Sequence, residues 1–245
     1  MMSNDRTAIV TGAARGIGAE IARQLAQDGF QVVINYSRSD ADAEKVAHTI
    51  RGNGGQALVA QGNVSSAADM ARLFDEAEAH FGTVDVLVNN AGVTKMGMLA
   101  QVSDEDFNRI MAVNLTGAFH GMREGANRIR DNGRIINLST SIIGNYIPAC
   151  GLYAASKAAV EAMTHTLAKE LGPRGVTVNA VAPGPVGTEL LFKERSQEMI
   201  DHLIRDIPMG RLGEPDDIAK VVSFLAGPQS SWVSGQVIKA NGGRN

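Results

Sequence analysis

Cysteine is almost missing from this chain. Cys150 stands alone among 245 residues, so no intramolecular disulfide can form, which suits a reducing, cytoplasmic compartment. No apolar run reaches the length needed to cross a bilayer. The polar stretch Met1 to Arg6 contains no apolar segment of the signal-peptide kind, so no leader is expected. A basic excess is also lacking. Lys and Arg number 23 against 26 Asp and Glu, a net charge of −3, which argues against a nucleic-acid or membrane-surface partner. The five histidines, His48, His80, His120, His165 and His202, are scattered. None lies close to a cysteine or to another histidine, so no metal site is expected. Short repeats, low-complexity tracts and Pro/Ser linkers are absent too, and one domain is the economical reading. A chain of this length buries enough surface to fold without a disulfide or a metal.

What the chain does have is glycine, 27 residues of it, and a regular alternation of patterns. Short β-rich runs fall at Thr7 to Thr11, Gln31 to Tyr36, Ala57 to Gln61, Val84 to Asn89, Arg134 to Leu138, Val176 to Val181 and Gln236 to Lys239. Helical patterns between them include Gly18 to Asp28, Ala67 to His80, Asp104 to Met122 and Ala154 to Leu171. Alternation of this kind predicts a parallel sheet covered on both faces, and the nearly all-apolar run Val84 to Val88 reads as a strand buried on both sides. The segment Pro185 to Met209 breaks the pattern. It follows a strand directly, at the carboxyl end where open α/β sheets hold their ligands, so it is expected to be a lid over substrate; an ordinary surface helix is the alternative.

The first strand runs into Thr11-Gly12-Ala13-Ala14-Arg15-Gly16-Ile17-Gly18 and then a helix. Three glycines there let the backbone approach a pyrophosphate, and a helix N-terminus offers free N–H groups and a positive dipole end. Three glycines in eight residues can also be a plain tight turn; the placement between strand and helix favours a dinucleotide site. A carboxylate at the end of the second strand would bind the ribose 2′-hydroxyl of NAD. Here that strand ends Asn35-Tyr36-Ser37-Arg38, and no acid comes before Asp40. Arg15 and Arg38 could instead clasp a 2′-phosphate, with Ser37 donating to it, since the guanidinium fork suits phosphate. NADP(H) is the expected cofactor.

At this point the chain resembles a classical short-chain dehydrogenase/reductase along nearly its whole length. Thr11-Gly12-x-x-x-Gly16-x-Gly18, Asn89-Asn90-Ala91-Gly92, Tyr153-Ala154-Ala155-Ser156-Lys157 and Pro183-Gly184-x-Val186-x-Thr188 match the family's motifs in order, and Val233-Ser234-Gly235-Gln236 to Asn241-Gly242-Gly243 resembles its last strand. The resemblance implies a single-domain, three-layer α/β/α fold with a Rossmann-type doubly wound parallel sheet of about seven strands. It also implies cofactor contacts from Gly12, Arg15, Gly16, Ile17, Gly18, Ser37, Arg38, Asn63, Val64, Asn90, Ala91, Gly92, Pro183, Gly184, Val186 and Thr188, joined by Tyr153 and Lys157. One departure is Asn63-Val64, where the family has Asp-Val with the Asp on the adenine amine. Asn still offers a carbonyl acceptor.

Hydride transfer to a carbonyl leaves charge on oxygen, and a proton must arrive there. Tyr is a poor acid–base group at neutral pH, with a reference pKa of about 10, but a nearby cation favours the phenolate. Lys157 lies four residues after Tyr153, on the same helical face, so an ammonium is expected to lower the phenol's pKa toward neutrality. By resemblance, Lys157 also binds the nicotinamide ribose. A hydroxyl is needed to hold the substrate oxygen. Ser141 stands twelve residues before Tyr153 with Gly144 three beyond it, as in the family, and is the choice; counting from Asn137 instead favours Thr140, and Ser139 is a third candidate. Asn114 sits in an apolar helical stretch and needs a partner; the resemblance gives it the task of propping the helix open and holding a water linked to Lys157.

The pattern is most similar to bacterial 3-oxoacyl-[acyl-carrier-protein] reductases, so a 3-oxoacyl thioester is the expected substrate, with acyl carrier protein as a candidate partner. Such a carrier is acidic and calls for a basic surface; Arg128, Arg130 and Arg174 are candidates, although Asp131 interrupts the first group. A generic carbonyl reductase or sugar/alcohol dehydrogenase is the alternative. A non-catalytic dinucleotide sensor could dispense with Tyr153 or Lys157, yet both are present. The resemblance implies a homotetramer, through the faces of the Asp104 to Met122 and Ala154 to Leu171 helices.

Overall fold

A computed structural model describes residues 6–194 and 196–244. Seven strands form one parallel sheet: β1 (Arg6–Val10), β2 (Phe30–Tyr36), β3 (Ala57–Gln61), β4 (Val84–Asn89), β5 (Arg134–Leu138), β6 (Thr177–Pro183) and β7 (Val237–Ala240). Their order is β3-β2-β1-β4-β5-β6-β7, the doubly wound arrangement expected. The alternating faces of the strands divide the core in two. Ala8, Val10, Val32, Ile34, Val86 and Val88 point to one side, beneath α1 (Gly16–Gln27), α2 (Asp40–Gly52) and α9 (Pro215–Ala226). Ile9, Val33 and Leu87 point to the other, beneath α3 (Ala67–Phe81), α5 (Gly117–Arg128) and α6 (Gly151–Leu171). Every residue of β4 is buried, as its apolar run predicts.

The helix expected over Asp104 to Met122 forms, but it is not a regular α-helix throughout. It divides into α4 (Asp104–Ile110), a π-helical turn at Met111–Thr116, and α5. The π turn is where Asn114 is fully buried; such single-turn insertions often mark functional sites. The expected lid segment contains α7 (Glu189–Glu194) and α8 (Gln197–Arg205), and is tied back to the body where Val186 pairs with Gly213. Helix starts follow the local chemistry: Ser66, Ser103 and Ser196 each accept a backbone N–H of the first turn, from Asp69, Asp106 and Met199.

Candidate active site

The strand order reverses between β1 and β4, and the carboxyl ends at such a switch point are where open α/β sheets hold their ligands. The loops after these strands are clamped together. Thr11 Oγ1 accepts from the backbone N–H groups of Asn90 (3.0 Å) and Ala91 (3.1 Å), and Asn90 Nδ2 donates to the Thr11 and Gly12 carbonyls at 2.8 and 3.1 Å. Gly12 has φ +62°, and a Cβ there would lie 2.9 Å from Ala91 Cα. A Cβ on Gly18 would overlap Asn90 Nδ2 and the Gly12 carbonyl. These glycines exist because two loops share one space. Gly16, with φ +56°, faces Thr188, whose Cγ2 would lie 3.6 Å from an added Cβ, so the segment after β6 reaches over the glycine loop.

Helix α1 begins here with no acidic residue in its first turn and no side-chain cap. Its positive end is uncompensated, which fits a pyrophosphate. Ile17 packs on the core below. Asn35, overlooked as a site residue in the sequence, braces the loop from β2: its Oδ1 accepts from Gly12 N at 3.2 Å, and its Nδ2 donates to the Ala60 and Gly62 carbonyls. The signal was available, since a buried amide in an otherwise apolar strand needs partners.

Arg15, Ser37 and Arg38 are exposed on the loops after β1 and β2, and neither arginine forms an ion pair with a described residue. Asp40, the first acid after β2, accepts the Tyr36 hydroxyl at 2.5 Å, which raises the Tyr36 phenol pKa. Asn63 differs from the expectation of a free acceptor. Its Oδ1 takes Ser65 N at 3.1 Å and Ser65 Oγ at 2.8 Å, so both lone pairs serve the turn into α3 and the amide N–H groups are what it can offer adenine. Val64 is buried, with His120 Nδ1 3.0 Å from its carbonyl. On the other side, Gly184 N donates to Ala240 O at 2.9 Å, and the Pro183 carbonyl accepts from Ser141 N at 2.9 Å.

The side chains expected to carry the chemistry meet where α6 approaches the end of β5. Three successive residues there are each bonded to one face of the helix, at spacings of four. The Leu138 carbonyl accepts from Lys157 Nζ at 2.6 Å, Ser139 Oγ donates to Glu161 Oε1 at 2.5 Å, and the Thr140 hydroxyl is hydrogen-bonded to Tyr153. Thr140, one of the alternatives to Ser141, thus places its hydroxyl at Tyr153, and Ser141 is buried one residue further along the same loop. The Thr140 hydroxyl also accepts from Ile142 N at 3.3 Å. Asn114 Oδ1 accepts from Val93 N at 2.8 Å, and its Nδ2 donates to Val93 O at 2.9 Å and Ser156 Oγ at 3.2 Å. Gly92 backs both groups, since a Cβ on it would lie 3.5 Å from Asn114 Oδ1 and from Lys157 Nζ.

Burial pushes the Tyr153 phenol up to about 12, against the opposing hydrogen bond from Thr140 and with a further rise from Cys150. Burial pulls the Lys157 ammonium down to about 8. The expected lowering of Tyr153 by Lys157 is thus not a property of the protein alone. Desolvation outweighs it, and the ammonium is directed at the Leu138 carbonyl.

The arginines considered for carrier docking are all occupied. Arg128 Nη2 lies 2.6 Å from Glu78 and 2.7 Å from Asp75. Arg130 lies 2.9 Å from Asp85, and Arg174 lies 2.8 Å from Asp131.

Known proteins share this construction. A family profile described as enoyl-(acyl carrier protein) reductase matches residues 12–245. An Arabidopsis thaliana protein named NADPH-dependent aldehyde reductase-like protein, chloroplastic, is 45% identical over 97% of this chain and 93% of its own. A 3-oxoacyl-[acyl-carrier-protein] reductase of Staphylococcus epidermidis is 40% identical over 98% of both chains. The solved short-chain dehydrogenase/reductase of Serratia marcescens superimposes with a TM-score of 0.94 at 37% identity, covering 98% of this chain and 97% of that one.

Proposed function

This chain belongs to the short-chain dehydrogenase/reductase family, and we propose that it reduces a carbonyl to an alcohol with NADPH, reversibly, using Tyr153 as proton donor. The observation that carries this is Tyr153 hydrogen-bonded to Thr140 on the same helical face as the buried Lys157. The bound dinucleotide supplies the hydride. Gly12, Gly16, Ile17 and Gly18 would hold its pyrophosphate, Arg15, Ser37 and Arg38 its 2′-phosphate, Asn63 and Val64 its adenine. Asn90, Ala91, Gly92, Pro183, Gly184, Val186 and Thr188 would line its nicotinamide half, and Lys157 would take the ribose hydroxyls. Tyr153 keeps its proton on Oη across the neutral range, because burial holds the phenol at about 12. It gives that proton to the substrate oxygen, which the Thr140 hydroxyl steadies. Ammonium charge on Lys157 then stabilises the phenolate left behind. Asn114 fixes the Val93 backbone and Ser156 beside this group, and residues 185–209 act as a lid.

Two features support NADP(H) over NAD(H). Asp40 is engaged by Tyr36, and among the described residues neither Arg15 nor Arg38 forms an ion pair, although Glu189 is near enough to feel the Arg15 charge. NADPH is expected to bind at least about tenfold more tightly than NADH, a difference of about 1.4 kcal/mol, and Arg38→Ala to remove most of that gap. Fluorescence titration of both cofactors checks it; equal affinities in the parent protein would refute the assignment.

The reduction is expected to depend on pH through Lys157. Its pKa is depressed to about 8, so the charge that stabilises phenolate is present below that value and lost above it. The kcat for ketone reduction should therefore fall as pH rises through about 8, with Tyr153 protonated throughout. A flat profile across that range would contradict the role given to Lys157.

A 3-oxoacyl thioester, the substrate class named for the Staphylococcus relative, has the required ketone. The reading of a free aldehyde or ketone, as in the name of the Arabidopsis relative, is favoured by the paired state of Arg128, Arg130 and Arg174. We place the enzyme in a reducing, cytoplasmic compartment on its single cysteine; among the described residues no helix is long and apolar enough to cross a membrane. By family resemblance the working form is a homotetramer, with exposed Phe107 and Phe119 on α4 and α5 as apolar surface for pairing.

A further inference from the structure

We infer that the carbonyl substrate reaches Tyr153 as an uncharged molecule with an apolar body, free of a carrier protein or a phosphate-bearing handle. This rests on the carbonyl-reductase reading above and narrows it. The loops leaving β4, β5 and β6 all open at the carboxyl edge of the sheet, and each exposes large apolar side chains among its polar ones. Met96, Met98 and Leu99 come from the first loop, Tyr146 from the second, and Phe192 and Met209 from the third; Leu99, Tyr146 and Met209 are each at least 70% exposed.

Contacts join these loops to the reacting group. Gly97 N donates to Ala149 O at 2.9 Å, Met96 Sδ lies 3.2 Å from Cys150 Sγ, and Leu99 packs against Gly151 at the start of the helix that carries Tyr153. Phe192 packs against Gly187, beside Thr188, and Met209 N donates to Gly242 O. Tyr146 and Ala149 hold left-handed backbone, with φ of +48° and +66°. Non-glycine residues rarely accept that cost outside functional loops. Exposed apolar side chains gathered on the loops around a polar centre are of the kind that binds apolar ligands, and thioether side chains adapt to irregular apolar shapes.

Charge points the same way. Most cations of these loops already meet carboxylates: Lys95 lies 3.7 Å from Asp106, Lys193 2.6 Å from Glu189 and Arg211 2.6 Å from Asp217, while Arg205 lies against His202 at 3.5 Å. A coenzyme A thioester, a sugar phosphate or an acidic carrier would bring anions that need cations. Arg128, Arg130 and Arg174 meet their own carboxylates instead, and Arg128 is held by two of them and by the Ala71 carbonyl. Arg174 also donates to the Ala126 and Ile129 carbonyls. Releasing any of these to a carrier would break bonds already formed.

The test compares one 3-oxoacyl group on three handles, N-acetylcysteamine, coenzyme A and acyl carrier protein, together with straight-chain aldehydes of rising length, all with NADPH and the full chain. Along the aldehydes kcat/KM is expected to rise about threefold to fourfold per methylene, the worth of burying one such group. The neutral thioester should match or exceed the two charged ones. A tenfold advantage for the carrier-protein or coenzyme A thioester, or a flat aldehyde series, would overturn the inference. Met98→Asp, at an exposed position, should lower kcat/KM for the longest aldehyde at least tenfold with KM for NADPH unchanged; an unchanged kcat/KM would also count against it. No turnover of any carbonyl would instead bring down the reductase reading on which the inference stands.

Discussion

Tyr153→Phe is expected to lower kcat for carbonyl reduction by about a thousandfold while the affinity for NADPH stays within about twofold. General acid catalysis by a positioned side chain contributes about 10² to 10⁴ in rate, and phenylalanine removes only the hydroxyl. The ring still fills its place on α6, so the fold and the glycine loop have no reason to move. No neighbour can take over the proton. An aliphatic hydroxyl such as Thr140 is a far weaker acid than a phenol, and Lys157 Nζ is committed to the Leu138 carbonyl at 2.6 Å. Steady-state rates and cofactor titration of the variant measure the two halves separately. Retention of wild-type kcat would remove Tyr153 from the reaction.

Thr140→Val should lower kcat by about a hundredfold, the scale of losing one preorganised donor to a developing oxyanion, whereas Ser141→Ala should stay within a fewfold of the parent. Valine keeps the branched shape, so packing changes little. Removing the hydroxyl also removes the hydrogen bond that opposes the rise of the Tyr153 phenol, leaving the phenolate harder to form. If Ser141→Ala proves the more damaging change, the substrate oxygen is held one residue further along the loop than the hydrogen bonding at Tyr153 indicates.

Most of the sheet was legible before the structure. Periodicity located all seven strands because each is apolar on one face or both. The glycine loop and the sharing of one helical face by Tyr153 and Lys157 were legible from local spacing, while the roles given to them came from the family resemblance. Other features depend on contacts between residues distant in sequence. The π turn at Met111–Thr116 is invisible to periodicity, since it follows from Asn114 bonding to Val93 and Ser156. The choice between Thr140 and Ser141 depends on which residue at the end of β5 faces α6. Counting back from Tyr153 crosses the whole loop before α6, while counting from Asn137 starts in β5 and reaches Thr140 two residues past its end. The protonation of Tyr153 and Lys157 follows their burial, which no spacing reports. Arg128 looked like free surface charge, yet Glu78 and Asp75, some 50 residues away, fold back onto it. Asn63 kept its place but lent its acceptor to Ser65.

The central claim, hydride transfer from NADPH to a carbonyl at Tyr153, is tested most directly with NADPH deuterated at its hydride-donating carbon and an apolar aldehyde or ketone. The expected product is an alcohol carrying one deuterium on the former carbonyl carbon, formed in step with NADPH consumption by the parent protein and not by Tyr153→Phe. Cofactor that binds but is never consumed with any carbonyl, or alcohol formed equally well by Tyr153→Phe, would contradict it.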